Sequence, residues 1–157
     1  MPFNYEPDVL RTTLVGAAMT TPVATLPEDA PIATARALIA EHGHSAYPLV
    51  DADGNCIGIV SRSDLLDVDE PELEEPVGSV ASSDVVSVRP RDTLLTVLEQ
   101  MAAEGVDHVP VIDDGQRLVG ICTRTDLLRT RANRLAHDDA QAGWRLWRRR
   151  KSPDGVA

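Results

Sequence analysis

Two seven-residue strings carry residue types that could do chemistry: Gly58-Ile-Val-Ser-Arg-Ser-Asp64 and Gly120-Ile-Cys-Thr-Arg-Thr-Asp126. In each, an apolar run ends on a hydroxyl-bearing residue and a polar turn then leads into a helix. Backbone N–H groups at such a helix start, the hydroxyl of Ser61 or Thr123 and the guanidinium of Arg62 or Arg124 can receive the oxygens of a phosphate. Asp64 and Asp126 suit a different group. A carboxylate repels phosphate, but as an acceptor it can take both hydroxyls of a ribose. The same residues have a plainer role: Ser63-Asp64 and Thr125-Asp126 are good helix starts, where they satisfy orphan N–H groups and favour the positive end of the dipole. Arg62 and Arg124 equally suit a solvated surface.

The two strings stand 62 residues apart, and the same offset pairs Gly43 with Gly105, Pro48 with Pro110 and Asp51 with Asp113. No gap is needed across 15–67 against 77–129, so the chain holds two copies of one unit. In each copy a short apolar strand (Val23–Leu26, Val85–Val88) is followed by a turn containing Pro27 or Pro90. Helical spacing comes next, with Ile32, Ala35, Leu38 and Ile39 in the first copy and Leu94, Val97, Leu98 and Met101 in the second. Gly43 and Gly105 supply a left-handed stop. Tyr47–Val50 and Cys56–Val60 form a hairpin around DADGN, as do Val109–Ile112 and Leu118–Cys122 around DDGQR, and a last helix begins near Ser63 and Thr125. The unit is β-α-β-β-α. The expected division is an N-terminal lead (1–14), a first unit (15–67), an acidic connector (68–76), a second unit (77–130) and a polar, basic tail (131–157), with DVDEPELEEP as a solvated link.

Composition narrows the class. At 157 residues and 43% hydrophobic content, the chain suffices for one compact domain or two small ones sharing a core. With 3% aromatic residues the core must be Val, Leu, Ile and Ala, as in α/β or α+β architectures. No apolar run approaches the roughly 20 residues of a membrane span, and MPFNYEPDVL lacks the apolar segment of a signal peptide, so a soluble cytoplasmic protein is expected. A net charge of −10 repels nucleic acid. Cys56 and Cys122 lie within apolar runs as small hydrophobes, they do not align with each other, and His42, His44 and His108 show no metal-ligand spacing. Neither copy holds a P-loop, an HExxH or a GxSxG, and no enzyme is expected. The segment Trp144–Lys151 carries two tryptophans and five basic residues among eight, a composition suited to a solvated tail, a partner groove or an anionic lipid surface.

MTTPVATLPEDAPIATA, HSAYPLVDADGNCIGIVSRSDLL and DHVPVIDDGQRLVGICTRTDLL together resemble the CBS domain family, over about residues 15–130. The resemblance implies an α+β, sandwich-like fold in which two repeats pack through their sheets into one pseudo-symmetric module, with two nucleotide clefts at the interface. It puts the family's ribose-binding aspartate at Asp64 and Asp126. Adenine would lie between Thr21 and Val23, or Ser83 and Val85, and the residues at the central prolines: Ala46, Tyr47 and Pro48, or His108, Val109 and Pro110. It implies a non-catalytic module with no required cofactor, regulated by AMP, ADP or ATP and assembling as a homodimer; the alternative is a dimerisation scaffold without a functional ligand site. The flanks VLRTTLVGAAMT and TRANRLAHDDAQAGWRLWRRRK are similar to the borders of CBS pairs attached to bacterial ClC-type chloride channels, which would make a membrane transporter the fused or interacting partner.

Overall fold

The computed structural model describes residues 9–133 of the chain; the tail segment Trp144–Lys151 lies outside them. The elements run α1 (Val9–Thr12), α2 (Val15–Ala18), β1 (Leu26–Pro27), α3 (Ile32–His42), β2 (Ala46–Val50), β3 (Cys56–Ser61), α4 (Arg62–Leu66), 3-10 turns at Glu70–Glu72 and Val77–Ser79, α5 (Leu94–Glu104), β4 (His108–Ile112), β5 (Leu118–Thr123) and α6 (124–133). The architecture is α+β, as the family resemblance implied.

The copies repeat down to hydrogen-bond register. β2 and β3 pair antiparallel with Ala46 opposite Ser61, β4 and β5 with His108 opposite Thr123, and both hairpins slip by one residue at the equivalent point. Both main helices end on a left-handed glycine, Gly43 at φ 71° and Gly105 at φ 67°. The hairpin turns are held by one carboxylate oxygen each: Asp51 Oδ1 accepts from the N–H of Asp53 and Asn55, Asp113 Oδ1 from the N–H of Gly115 and Arg117, all at 2.9 Å. These bonds, that of Asn55 foremost, hold the Asp51 carboxyl below its ordinary pKa. The turns differ at the left-handed position. Gly54 (φ 84°) becomes Gln116 (φ 68°) in the second copy, so a side chain sits where glycine is favoured. Gln116→Gly is expected to stabilise the protein by about 0.5 kcal/mol, the relief of a left-handed side chain less the added chain entropy. The check is a higher urea midpoint at unchanged slope.

The first strands are shorter than the sequence pattern predicts. β1 is two residues, parallel to β2 through Leu26 and Leu49, and the second copy keeps only the equivalent pairing of Val88 with Val111. The residues before them are drawn elsewhere. Thr20 exchanges backbone hydrogen bonds with Ile121 (2.8 and 3.1 Å), and Ser82 with Ile59 (2.9 Å each way). Each copy's lead segment thus crosses onto the other copy's hairpin.

The exchange extends to the cores. Val15 packs in the second core with Leu10, Val88, Leu94, Val97, Val109 and Val111, while its equivalent, Val77, packs in the first with Ile32, Tyr47, Leu49 and Val60. The first N–H of α5 donates to Thr13 O and that of α3 to Glu75 O, both at 3.0 Å. A carbonyl of the segment that leads into one copy therefore satisfies an orphan donor of the other copy's helix. The acidic connector also departs from expectation. It is no free solvated link: Ala33 donates to Leu73 O at 2.9 Å, and Val68 and Leu73 pack on the first core while the carboxylates of Asp67, Asp69, Glu70, Glu72, Glu74 and Glu75 stay in solvent. Two apolar side chains at helix-facing positions outweigh the acidic composition around them.

Candidate functional site

The starts of β2 and β4 lie back to back near the pseudo-twofold axis. Ser45 Oγ lies 2.9 Å from His108 Nε2, and His108 Nδ1 lies 2.7 Å from Asp107 Oδ1. The strand-to-helix junctions are tied to the same place: Arg62 N–H donates to Ser45 O at 2.8 Å, and Arg124 N–H to Asp107 O at 3.1 Å. This wall separates two clefts. One, of about 470 Å³, lies between Thr20, Pro22 and Ala24, the turn at His44 and Ser45, and the junction residues Thr123, Arg124 and Thr125. The other, of about 340 Å³, lies between Ser82, Asp84 and Val86, the turn at Val106 and Asp107, and the junction residues Ser61, Ser63 and Asp64. Applying the repeat offset to either lining largely reproduces the other.

Each junction is a capping box. The helices begin at Arg62 and Arg124, one residue before the positions expected from sequence, so Ser61 and Thr123 are the caps and Asp64 and Asp126 stand at the third helical position. Ser61 Oγ accepts from Asp64 N–H at 3.3 Å and Asp64 Oδ2 accepts from Ser61 N–H at 2.9 Å. Thr123 and Asp126 repeat this at 3.3 and 2.9 Å. Beyond the box the aspartates diverge. Asp126 is 2% exposed, and both its oxygens are engaged: Thr20 Oγ1 donates to Oδ1 at 2.9 Å and Oδ2 at 3.2 Å, and Arg129 donates to Oδ1 at 3.2 Å. Asp64 is half-buried. Its Oδ2 takes the backbone and hydroxyl of Ser61, and Oδ1 has no hydrogen-bond partner among the described residues.

The residues singled out from sequence fall in several places. Ala46 and His108 line both clefts; Thr123 and Arg124 line the larger; Ser61, Asp64, Val85 and Pro110 line the smaller. Asp126 lies beneath the surface of the larger. Tyr47 and Val109 are buried in the two cores and Pro48 is buried in β2. Thr21 and Ser83 are exposed and line neither cleft, and Val23 lines a separate depression with Val50 and Leu118. Arg62 lines a groove with Arg36, Ile39 and Leu66. Sequence reasoning missed Thr20, Ser82, Asp84, Ser45 and Asp107. The two-residue alternation of an extended segment, anchored at Thr20 or Ser82, was the signal that finds the first three.

Burial first, and then the charge of Asp126, push the Cys122 thiol up to about 12, so it stays protonated at neutral pH; burial also raises that of Cys56. Neither is poised for thiolate chemistry. Among the described residues no cluster of three or more His, Cys, Asp or Glu could hold a metal, and no helix is long and apolar enough to cross a membrane.

The CBS domain matches residues 15–70 and again 77–133. The crystal structure of the acetoin utilization protein AcuB from Vibrio cholerae superposes with a TM-score of 0.73 at 29% identity, over 81% of this chain and 96% of that one. The CBS domain pair of protein MJ0100, solved with 5′-methylthioadenosine and S-adenosyl-L-methionine, superposes at 0.68 and 26% identity over 74% and 98%. The human 5′-AMP-activated protein kinase subunit gamma-3 is 29% identical over 111 residues, 64% of this chain and 23% of that one. A Methanocaldococcus jannaschii protein of unassigned role is 33% identical over 74% of this chain and 43% of its own length, so the chain spans less than half the length of it and of the kinase subunit. With two matched copies that together account for more than half of its length, folded as in solved CBS pairs, the chain belongs to the CBS domain family and is a tandem CBS pair.

Proposed function

We propose that the chain is a non-catalytic regulatory module that binds an adenine nucleotide in the clefts between its copies and passes occupancy to a partner or fused protein. The observation that carries this reading is the pair of offset-related clefts, each flanked by a strand-to-helix junction bearing a hydroxyl cap and an aspartate. Such a site offers hydroxyl donors, a diol acceptor and apolar walls. The adenosine ligands of the MJ0100 pair and the gamma-3 subunit's place in an AMP-activated kinase support the ligand class. Calorimetric titration of AMP, ADP and ATP should give saturable heats with dissociation constants between micromolar and millimolar. No heat with any adenosine ligand would leave the scaffold reading.

Assembly is the second part of the proposal. Leu66 on α4 and Leu128 on α6 are equivalent positions and stay 66% and 57% exposed, a repeated apolar patch suited to a closed, isologous homodimer of pairs. Light scattering should report twice the 17.0 kDa chain mass, and a monomer at tens of micromolar would count against it. The partner we propose is a membrane transporter of the ClC kind, with the module at its cytoplasmic face.

A further inference from the structure

The two clefts descend from one repeated unit, yet their charges differ. The smaller cleft is lined by three carboxylates, Asp64, Asp84 and Asp107, and by no lysine or arginine. The larger is lined by Arg124 and His44, with Asp107 its one carboxylate. The offset shows how the difference arose. Pro22 stands where the second copy has Asp84, and Arg62, the equivalent of Arg124, turns away into the groove with Arg36, whereas Ser45 and Asp107 line both clefts. The diol acceptors differ in the opposite sense: Asp64 Oδ1 is open, whereas both oxygens of Asp126 are held by Thr20, Thr123 and Arg129.

A phosphate in the smaller cleft would meet three carboxylates with no lysine or arginine to offset them, and His108, the one basic side chain in the lining, is already engaged by Asp107. A ribose diol there finds an open carboxylate oxygen. In the larger cleft the Arg124 guanidinium and the hydroxyls of Thr123 and Thr125 can receive an anion, while Asp126 would have to release Thr20 before it could grip a diol. Resting on the adenosine-ligand reading above, we propose that the clefts differ in ligand class. The Asp64 cleft takes an unphosphorylated nucleoside, neutral or cationic, and the Arg124 cleft takes the phosphorylated one.

The test is a double dissociation by calorimetry on the full chain, with adenosine, S-adenosylmethionine and AMP as probes. Asp64→Asn, which keeps the capping ability of the residue, should weaken adenosine and S-adenosylmethionine by about 10-fold and leave AMP unchanged. Arg124→Gln, at an exposed position, should weaken AMP by about 10-fold and leave adenosine unchanged. Asp84→Asn should let AMP compete for the adenosine site. If AMP affinity falls with Asp64→Asn and ignores Arg124→Gln, the division of ligand classes is wrong while the adenosine-ligand reading stands. If none of the three probes binds the wild-type chain, both fall.

Discussion

Leu10→Ala is expected to lower the stability of the pair by about 3 kcal/mol and its Tm by roughly 6–12 °C. Leu10 precedes the first repeat, in a stretch that composition assigns to an N-terminal lead, yet it is 1% exposed and sits in the core of the second copy. Truncation there removes three buried carbons and leaves a cavity whose other walls, Val15, Leu94 and Val97, belong to fixed elements. Leu14, four residues along and 49% exposed, provides the control: Leu14→Ala should stay within about 0.5 kcal/mol. Urea denaturation distinguishes the two. A Leu10→Ala variant as stable as the Leu14→Ala variant would mean that the lead segment does not complete the second core.

Asp126→Ala is expected to cost about 2–4 kcal/mol, and the equivalent Asp64→Ala only about 1 kcal/mol. Removing the buried Asp126 carboxylate strips an acceptor from the half-buried Thr123 N–H and hydroxyl and from the hydroxyl of Thr20 at the cleft wall. The lost charge was itself costly to bury, which offsets part of the loss, but the stranded donors dominate. At Asp64 the capping box alone is lost, in a half-buried position where water can replace it. Urea midpoints of the two variants without ligand give the comparison. Equal losses would show that the two junctions are alike and would remove the basis for treating Asp64 as the open one.

What the sequence made legible was local. The left-handed stops at Gly43 and Gly105, both hairpins and the aspartate turns at Asp51 and Asp113 depend on residues within a few positions of one another, and all stand in the fold. The exchange of lead segments was not legible, because periodicity tells which side of Val15 or Val77 is buried but not which copy buries it. The same kind of non-local pairing acts just before β1, where Thr20 is held by Ile121 of β5 in the other copy. At the clefts the difference is one of phase. Thr20, Pro22 and Ala24 face the larger cleft and Thr21 and Val23 alternate away from it, a distinction that composition does not carry and that only an anchored register supplies. The early helix starts follow from hydroxyls at both Ser61 and Ser63; the reciprocal spacing from Ser61 to Asp64 selects the first.

Ligand binding between the copies is tested most directly by the melting temperature of the full chain with and without adenosine ligands. A ligand at 100 times its dissociation constant should add about 2.7 kcal/mol to the folded state, a rise of roughly 5–10 °C in Tm. With adenosine and AMP present together, the Asp64→Asn, Arg124→Gln double variant should lose about half of that rise, because a ligand bound about 10-fold more weakly adds only about 1.4 kcal/mol at the same concentration, while its ligand-free melt stays close to wild type. A wild-type melt that no adenosine ligand moves, or a shift that survives intact in the double variant, would contradict the assignment of these clefts.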